Sequence, residues 1–219
     1  MSAELFLIHT EFLENEEVFF QKLRGVSEAR KKKVEACRAK EDKLRSLAGG
    51  LLLEELLRQH FYSPQKLIQD EKGKLMLEGE EAFYFNLSHS GDYAACVIAE
   101  GPVGVDIQQY RPVKDGLAKR FFQAQEANQL RQTRGRAREE LFFRYWTAKE
   151  SYIKLTGEGL RQGFNSFGIN LQEGRVEDPN RPEREIYLKE YCCLPGYAIT
   201  VAACEDKFSR FVKKIFYRI

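Results

Sequence analysis

The chain has 219 residues, of which 43% are hydrophobic, and its 35 Lys and Arg nearly balance 33 Asp and Glu. This length and apolar content suffice for a buried core in one large domain or two small ones. A net charge of +2 gives no reason to expect nucleic acid or a membrane as the partner of the whole molecule, so any charged site must be local.

The amino terminus and the cysteines bear on the cellular compartment. The first residues, MSAELFLIHTEFLENEE, contain an apolar run too short for a signal peptide, and no stretch of the chain approaches membrane-spanning length. Five cysteines, of which Cys192 and Cys193 are adjacent, fit neither a disulfide framework nor the ligand spacing of a zinc site. We therefore expect a cytoplasmic protein whose thiols are reduced and buried.

The chain opens with a predicted strand followed by a long helical region. Residues 4–9, ELFLIH, alternate as a strand does. The charged stretch SEARKKKVEACRAKEDKLRSLAGGLLLEELLRQH then has helical periodicity. Its apolar face carries Leu44, Leu47, Leu51 and Leu52. Gly49 and Gly50 each cost about 1 kcal/mol relative to Ala inside a helix, which indicates close approach of either a neighbouring helix or a ligand.

Further along, strands dominate until the second half. QDEKGKLML reads as a turn entering a strand, and AFYFNLSHSGDYAACVIAE as a hairpin that reverses near residues 90–92. GPVGVDIQQ begins the second half. Residues 115–130 and 137–156 have helical patterns, and the tail from Phe164 is mainly β, with a hairpin in EIYLKEYCCLPGYAITVAACE.

Two hairpin segments resemble each other. GDYAACVIAE and PGYAITVAACE share a turn, a tyrosine, a strand of small and branched residues and a closing glutamate, when one gap is allowed. Such a repeat favours an internal duplication. It predicts two similar α+β lobes that meet near residue 103.

The stretch VGVDIQ places an aspartate inside an apolar strand. Burying Asp106 is costly unless it is paired or bound to a cation. Strand periodicity puts Asp106 and Gln108 on one face, with Val105 and Ile107 on the other. Two interpretations remain open: one side of a hard-cation site, or a strand end at which Asp106 accepts backbone N–H bonds.

The segment FFRYWTAKESYIKLTGEGL has a helical stripe that could carry chemistry. Trp146, Glu150 and Lys154 fall at i, i+4 and i+8, and Lys149 flanks the stripe. A carboxylate one turn before a lysine is most often a surface pair worth about 0.3 kcal/mol. The tryptophan and the glycines that follow favour a covered face instead.

Two further patterns suggest phosphate binding. In NLSHSG, His89 lies between two serines at a turn, where it could donate to a phosphate or serve only the local structure. The charged helix could line a path for phosphates or be a solvated face. Its cations of interest are Arg30, Lys33, Lys40 and Arg45.

In this order, the motifs KEDKLRS, FNLSHSG, GVDIQ, FF-x-x-x-E and W-T-A-K-E-S-Y-I-K-x-x-G-E-G-L resemble those of Sfp-type 4′-phosphopantetheinyl transferases, from about Ser27 to Phe167. The resemblance implies a monomeric enzyme of the α+β class, with two pseudo-symmetric lobes, each a small antiparallel sheet packed with helices. We expect the lobes at residues 1–102 and 103–219, with coenzyme A in the cleft between them. The implied reaction moves 4′-phosphopantetheine from coenzyme A to a serine of an acyl or peptidyl carrier protein and releases adenosine 3′,5′-bisphosphate.

The resemblance also implies catalytic roles. Asp106 and Glu150 would hold Mg²⁺ against the pyrophosphate of coenzyme A, with Gln108 as a further ligand. Glu150 would be the base for the carrier serine, and Lys154 would stabilise the departing phosphate. The family often has a glutamate at the position of Gln108, so we expect a working metal site with two carboxylates.

The remaining family contacts concern coenzyme A and the carrier. The implied coenzyme contacts are Arg30, Lys33, Arg45, Ser46, Lys74, Ser88, His89, Lys149 and Lys154, with His89 on the 3′-phosphate. Leu75 stands where a proline often follows the lysine. An acidic helical carrier would dock on residues 111–123, although an amphipathic helix that packs its phenylalanines inward explains that segment equally well. Glu126 matches the acidic position of FF-x-x-x-E, with no role assigned.

Two other functions have less support in the sequence. A catalytically silent relative that binds coenzyme A or carriers is supported only by Gln108 and Leu75. A nucleic-acid-binding protein would use the basic helix and RQTRGRAR, but acidic residues interrupt both stretches. We therefore expect an enzyme with no nucleic-acid or membrane partner.

Overall fold

Helices and strands come in consecutive groups along the computed structural model, which describes residues 2–71, 74–79, 83–114, 116–159 and 163–216. The strands are β1 (Ala3–His9), β2 (Leu67–Gln69), β3 (Leu75–Leu77), β4 (Tyr84–Ser90), β5 (Tyr93–Ala99), β6 (Val103–Gln109), β7 (Gly168–Asn170), β8 (Arg175–Glu177), β9 (Tyr187–Glu190), β10 (Tyr197–Ala203) and β11 (Phe208–Ile215). The α-helices are α1 (Glu16–Gly25), α2 (Glu28–Glu35), α3 (Lys40–Gln59), α4 (Leu117–Phe121), α5 (Ala124–Gln132) and α6 (Gly135–Thr156). Within these ranges, every helix is too short or too polar to cross a lipid bilayer.

The strands form one main sheet for each lobe. The first has the order β11-β1-β5-β4, the second has the order β6-β10-β9-β8-β7, and β2 and β3 make a separate hairpin. Neighbouring strands are antiparallel, apart from the parallel pair β1 and β11. The two strands of the repeated sequence, β5 and β10, occupy interior positions of their respective sheets.

Helices cover the outer faces of the two sheets. Helix α3 packs on β4 and β5, and α6 packs on β6 and β10. The predicted face of α3 is buried in the core beneath it, and a second apolar core lies under α6. A third core lies between the sheets, where Val97, Val105 and Val201 meet. This arrangement confirms the predicted α+β architecture of two similar lobes.

The last strand departs from the expected organisation. Strand β11 adds to the edge of the amino-terminal sheet, where Leu5 of β1 pairs with Val212. This pairing differs from the expected division, in which all residues after 102 belong to the second lobe. A strand pattern carries no information about which distant strand will be its partner, so local periodicity had no means of predicting this return.

The helix predicted at residues 115–130 is wrong in its middle. The chain forms α4 and α5 with an extended break at Phe122, whose φ and ψ are −109° and 154°. Gln123 then begins α5 with a capping box, because Glu126 accepts from its backbone N–H. The apolar pattern continued through the break because Phe122 is itself buried.

The cysteines are free, as expected, but they are not uniformly buried. Cys96 lies in the core, whereas Cys192 and Cys204 are exposed. The two exposed thiols follow β9 and β10, outside the regular strands. The expectation of buried thiols therefore holds for Cys96 and is wrong for those two.

Gly104 allows α6 to lie directly against β6. A Cβ at this position would overlap the backbone oxygen of Ser151 and lie 2.6 Å from the backbone nitrogen of Leu155. We expect Gly104→Ala to lower the free energy of unfolding by about 1–3 kcal/mol, because α6 must shift outward. Urea denaturation measures this. Gly101→Ala is the matched control, since nothing lies within 4 Å of its added methyl group, and equal stability of the two variants would contradict the prediction.

Candidate active site

Strand β6 and helix α6 bring Asp106 and Lys154 together. Asp106 is 2% exposed, and its Oδ1 lies 2.7 Å from Nζ of Lys154. The same ammonium donates to the backbone oxygen of Val105 at 3.1 Å and to Oγ of Ser88 at 3.0 Å. Lys154 therefore forms its ion pair with Asp106 of β6, and not with Glu150 on its own helix.

Ser88 of β4 completes the surroundings of the Asp106 carboxylate. Its hydroxyl donates to Oδ1 of Asp106 at 2.7 Å and accepts from the backbone N–H of Ile107 at 3.3 Å. The hydroxyl proton of Ser88 is engaged by Asp106, and this hydrogen bond holds the candidate metal ligand Asp106 in place. The predicted contact of Ser88 with coenzyme A would require exchange of these bonds.

Gln108 faces Asp106 with its amide nitrogen. Nε2 donates to Oδ2 of Asp106 at 3.1 Å, and Oε1 accepts from Oγ of Ser90 at 3.5 Å. In this orientation Gln108 stabilises the carboxylate, and it could serve as a metal ligand only after its amide turned. The burial of Asp106 is thus compensated by an ammonium, a hydroxyl and an amide.

Glu150 supplies a second carboxylate beside Asp106. Burial raises its pKa, the charge of Asp106 raises it further, and Lys154 opposes both effects. Two neighbouring carboxylates that repel each other form an oxygen donor set suited to a hard divalent cation. No cluster of three or more His, Cys, Asp or Glu in the described ranges has a metal-binding arrangement, so the candidate centre rests on this pair.

Cations surround His89 at the end of β4. His89 is exposed at the surface, but partial desolvation of its ring lowers its pKa, and the charges of Arg45, Lys154 and Lys33 lower it further. Arg45 is held in place by Asp42, at 2.6 Å, and by the backbone oxygen of Gly91, at 3.0 Å. Four of the predicted coenzyme contacts therefore share one positive field, which favours a polyanion.

Lys74 caps the end of the helix that carries Lys154. Its Nζ donates to the backbone oxygens of Lys154 at 2.9 Å and of Leu155 at 3.1 Å. An ammonium at a helix carboxyl end satisfies carbonyl groups and complements the helix dipole. Lys74 thus lies beside the site, but its charge is directed at α6.

Arg30 and Ser46 lie below the surface of the amino-terminal lobe. A Cβ at Gly50 would overlap the side chain of Arg30, so the glycine serves close packing between α2 and α3. Arg30 is 8% exposed, and its Nη1 lies 3.4 Å from the backbone oxygen of Ser46. The buried Oγ of Ser46 has no hydrogen-bond partner in the described part of the chain.

Lys149, expected to contact coenzyme A, has a structural position instead. Its side chain is fully buried, with Nζ at 3.0 Å from Oε2 of Glu126. Nζ also donates to the backbone oxygens of Phe164 and Phe167, at 2.8 and 2.7 Å. Since these three partners engage all its protons, the expected coenzyme contact is corrected to an anchor inside the second lobe.

Glu126 is the other half of this anchor. Its Oε1 accepts from the backbone N–H of Ile169 and its Oε2 from that of Gln123, both at 2.8 Å. The carboxylate thereby joins the start of α5 to β7. In sequence, QAQE has the glutamate of a capping box but has glutamine where Ser, Thr, Asp or Asn normally begins one, so the pattern did not signal this role.

The segment expected to dock the carrier is partly packed. Phe122 is buried, and Phe121 lies against Trp146 and Phe164, with ring centroids 5.5 and 5.6 Å apart. The inward-packing interpretation is therefore confirmed for the phenylalanines. The exposed cations of the segment are Arg111, Lys114, Lys119 and Arg120.

Comparisons with known proteins agree with the motifs. A family model described as the 4′-phosphopantetheinyl transferase superfamily matches residues 102–202, and one described as 4′-phosphopantetheinyl transferase, N-terminal, matches residues 13–101. The chain is 32% identical over 196 residues to the 4′-phosphopantetheinyl transferase Sfp of Bacillus subtilis (strain 168), covering 84% of this chain and 86% of Sfp. It is 33% identical over 165 residues to the 4′-phosphopantetheinyl transferase psf-1 of Bacillus pumilus, covering 73% and 71%. The chain therefore belongs to the 4′-phosphopantetheinyl transferase superfamily.

Proposed function

We propose that this protein transfers the 4′-phosphopantetheine group of coenzyme A to a serine hydroxyl of an acyl or peptidyl carrier protein, with Mg²⁺ as cofactor. One observation carries the proposal: the carboxylates of Asp106 and Glu150 lie next to the cations around His89, because Lys154, one of those cations, is 2.7 Å from Asp106. This combination suits a pyrophosphate substrate, because the carboxylates suit a metal ion and the cations suit phosphate oxygens.

The donor set fits Mg²⁺. Asp106 and Glu150 would supply oxygen ligands. Burial, and then the neighbouring charge of Asp106, raise the pKa of Glu150, and a bound cation would offset both costs. Gln108 could add a neutral oxygen after its amide turns. When bound there, Mg²⁺ would neutralise charge on the pyrophosphate and so make adenosine 3′,5′-bisphosphate a better leaving group.

The reaction assigned to the site is a phosphoryl transfer. The serine oxygen of the carrier bonds to the phosphorus that bears the pantetheine arm, and the bond from that phosphorus to the bridging oxygen breaks. Glu150 accepts the serine proton, and Lys154 stabilises the negative charge of the leaving adenosine 3′,5′-bisphosphate. Lys33, Arg45 and His89 bind the phosphates, with His89 assigned to the 3′-phosphate.

Exposed cations suggest where a carrier protein would bind. Four exposed cations in residues 111–123 would attract an acidic carrier protein, while the packed phenylalanines behind them give the segment a fixed shape. We further propose that the protein acts as a cytoplasmic monomer. Nucleic acid and membrane lipid have no part in the proposed reaction.

Intact mass spectrometry tests this function. An apo carrier protein incubated with the enzyme, coenzyme A and Mg²⁺ should gain about 340 Da, which is the mass of one phosphopantetheine group. EDTA and a carrier whose acceptor serine is replaced by alanine should each abolish the gain. If several apo carriers gain nothing while coenzyme A still binds, the silent relative is the better assignment. Gln108→Glu would then test whether the missing carboxylate explains the inactivity.

A further inference from the structure

Side chains join the two sheets at the site. Strand β4 is an edge strand of the amino-terminal sheet and β6 is an edge strand of the carboxy-terminal sheet. These two edge strands lie side by side. Oxygens on β4 side chains accept hydrogen bonds from backbone N–H groups of β6. The bonds run from Val105 N to Asn86 Oδ1 at 3.0 Å, from Ile107 N to Ser88 Oγ at 3.3 Å, and from Gln109 N to Ser90 Oγ at 3.1 Å.

The three bonds form a regular ladder. Each joins residues 19 apart in sequence, and the donors and acceptors recur at every second position of two strands running in the same direction. The alternating pattern N-x-S-x-S in NLSHS therefore matches the pleat of β4. An edge strand normally exposes its N–H groups, and here the polar side chains of β4 act as the missing neighbour.

The ladder determines where Asp106 lies relative to the first lobe. Backbone pairing holds strands about 4.8 Å apart, whereas a side-chain acceptor bridges a wider gap. Through this gap Lys154 reaches the backbone oxygen of Val105 and the carboxylate of Asp106. Loss of one of these three hydrogen bonds would let β6 move relative to β4, and Asp106 would then shift relative to His89.

We infer that Asn86 and Ser90 are positioning residues for the transfer reaction, acting through β6 on Asp106. This inference rests on the proposed function. Ser88, the middle rung, contacts Asp106 directly, so its substitution would not separate positioning from a direct effect. Asn86 and Ser90 bond to β6 backbone without touching either carboxylate in the contacts described above. Because Ser90 also donates to Gln108, Asn86 is the cleaner test of positioning.

Hydrogen exchange of the β6 amides tests the ladder itself. In Asn86→Ala and Ser90→Ala, the amides of Val105 and Gln109, respectively, should exchange about tenfold faster, the effect of losing one hydrogen bond. Asn86→Asp and Ser90→Thr keep an acceptor oxygen and should exchange like the wild type. Ser209→Ala is the matched control, because it removes a similar side-chain bond to a backbone N–H in β11, that of Phe211.

Kinetics tests the positioning role. We expect both alanine variants to lose about tenfold to a hundredfold in turnover and to need more Mg²⁺ for half-maximal rate. If Asn86→Asp and Ser90→Thr recover the wild-type turnover and the wild-type Mg²⁺ requirement, the effect is one of positioning and not a general loss of stability. The Ser209→Ala control should keep the wild-type rate and Mg²⁺ dependence.

The outcomes separate the inference from the function beneath it. Unchanged amide exchange in the alanine variants would overturn the ladder, whatever their activity. Faster exchange with wild-type turnover and Mg²⁺ dependence would overturn the positioning role alone. A wild-type protein that binds coenzyme A but transfers nothing to any carrier would overturn the proposed function and the positioning role together.

Discussion

Replacing Glu150 by glutamine should lower the transfer rate by about 10²–10⁴-fold, the usual contribution of a general base. The substitution keeps the size of the side chain. It removes the carboxylate that would accept the serine proton, which is also one of the two carboxylates suited to Mg²⁺. Its half-buried position beside Asp106 means that removing the charge relieves repulsion, so the fold should remain at least as stable. Intact mass of the carrier, followed over time, measures the rate.

The pH dependence gives a second test of the same residue. Because burial and Asp106 raise the pKa of Glu150, wild-type activity should fall as the pH drops through that raised pKa, above the ordinary range of a glutamate. The residual activity of Glu150→Gln should lack this acid limb. Glu140→Gln on the same helix is the control, since Glu140 pairs only with Arg136 at the surface in the contacts described. Full activity of Glu150→Gln would exclude the assigned base.

Replacing Lys149 by methionine should lower the free energy of unfolding by about 3–5 kcal/mol. The change leaves the buried carboxylate of Glu126 without its ammonium partner. It also removes the donor from the carbonyls of Phe164 and Phe167. An uncompensated charge inside a lobe is the main source of the destabilisation, and urea denaturation measures it.

A double substitution checks this explanation. Glu126→Leu together with Lys149→Met removes both charges and should be more stable than the sum of the single variants predicts. Where Lys149→Met remains folded, it should bind coenzyme A with wild-type affinity, because the side chain does not reach the site. Weak coenzyme binding by a folded, stable Lys149→Met would contradict the structural assignment and restore the contact first expected.

Local patterns were sufficient for most of the secondary structure. The Gly-Asp turn after β4 and the 2-residue alternation on either side predicted the β4–β5 hairpin, because turn chemistry and side-chain alternation act within a few residues. The same holds for the apolar face of α3. The break at Phe122 was missed because a buried aromatic continues a helical pattern even where the backbone is extended.

The candidate site was predictable in its members but not in their partners. Asp106 was a credible metal ligand on sequence alone, since its cost in an apolar strand demands compensation. Glu150 was predicted to face Lys154 along one helix, whereas Lys154 crosses to Asp106. Lys149 was expected at the coenzyme, yet the helix turns it into the lobe.

The sequence by itself determined the family, the hairpins and the residue types able to hold a metal ion and phosphates, because these depend on motifs and short-range periodicity. Only the tertiary structure decided that β11 joins the first sheet, that Glu126 receives Lys149, and that β4 side chains hold the edge of β6. Each of these contacts joins segments that periodicity treats as independent. Their pairing is decided by which buried polar groups can satisfy one another once the sheets and helices have packed.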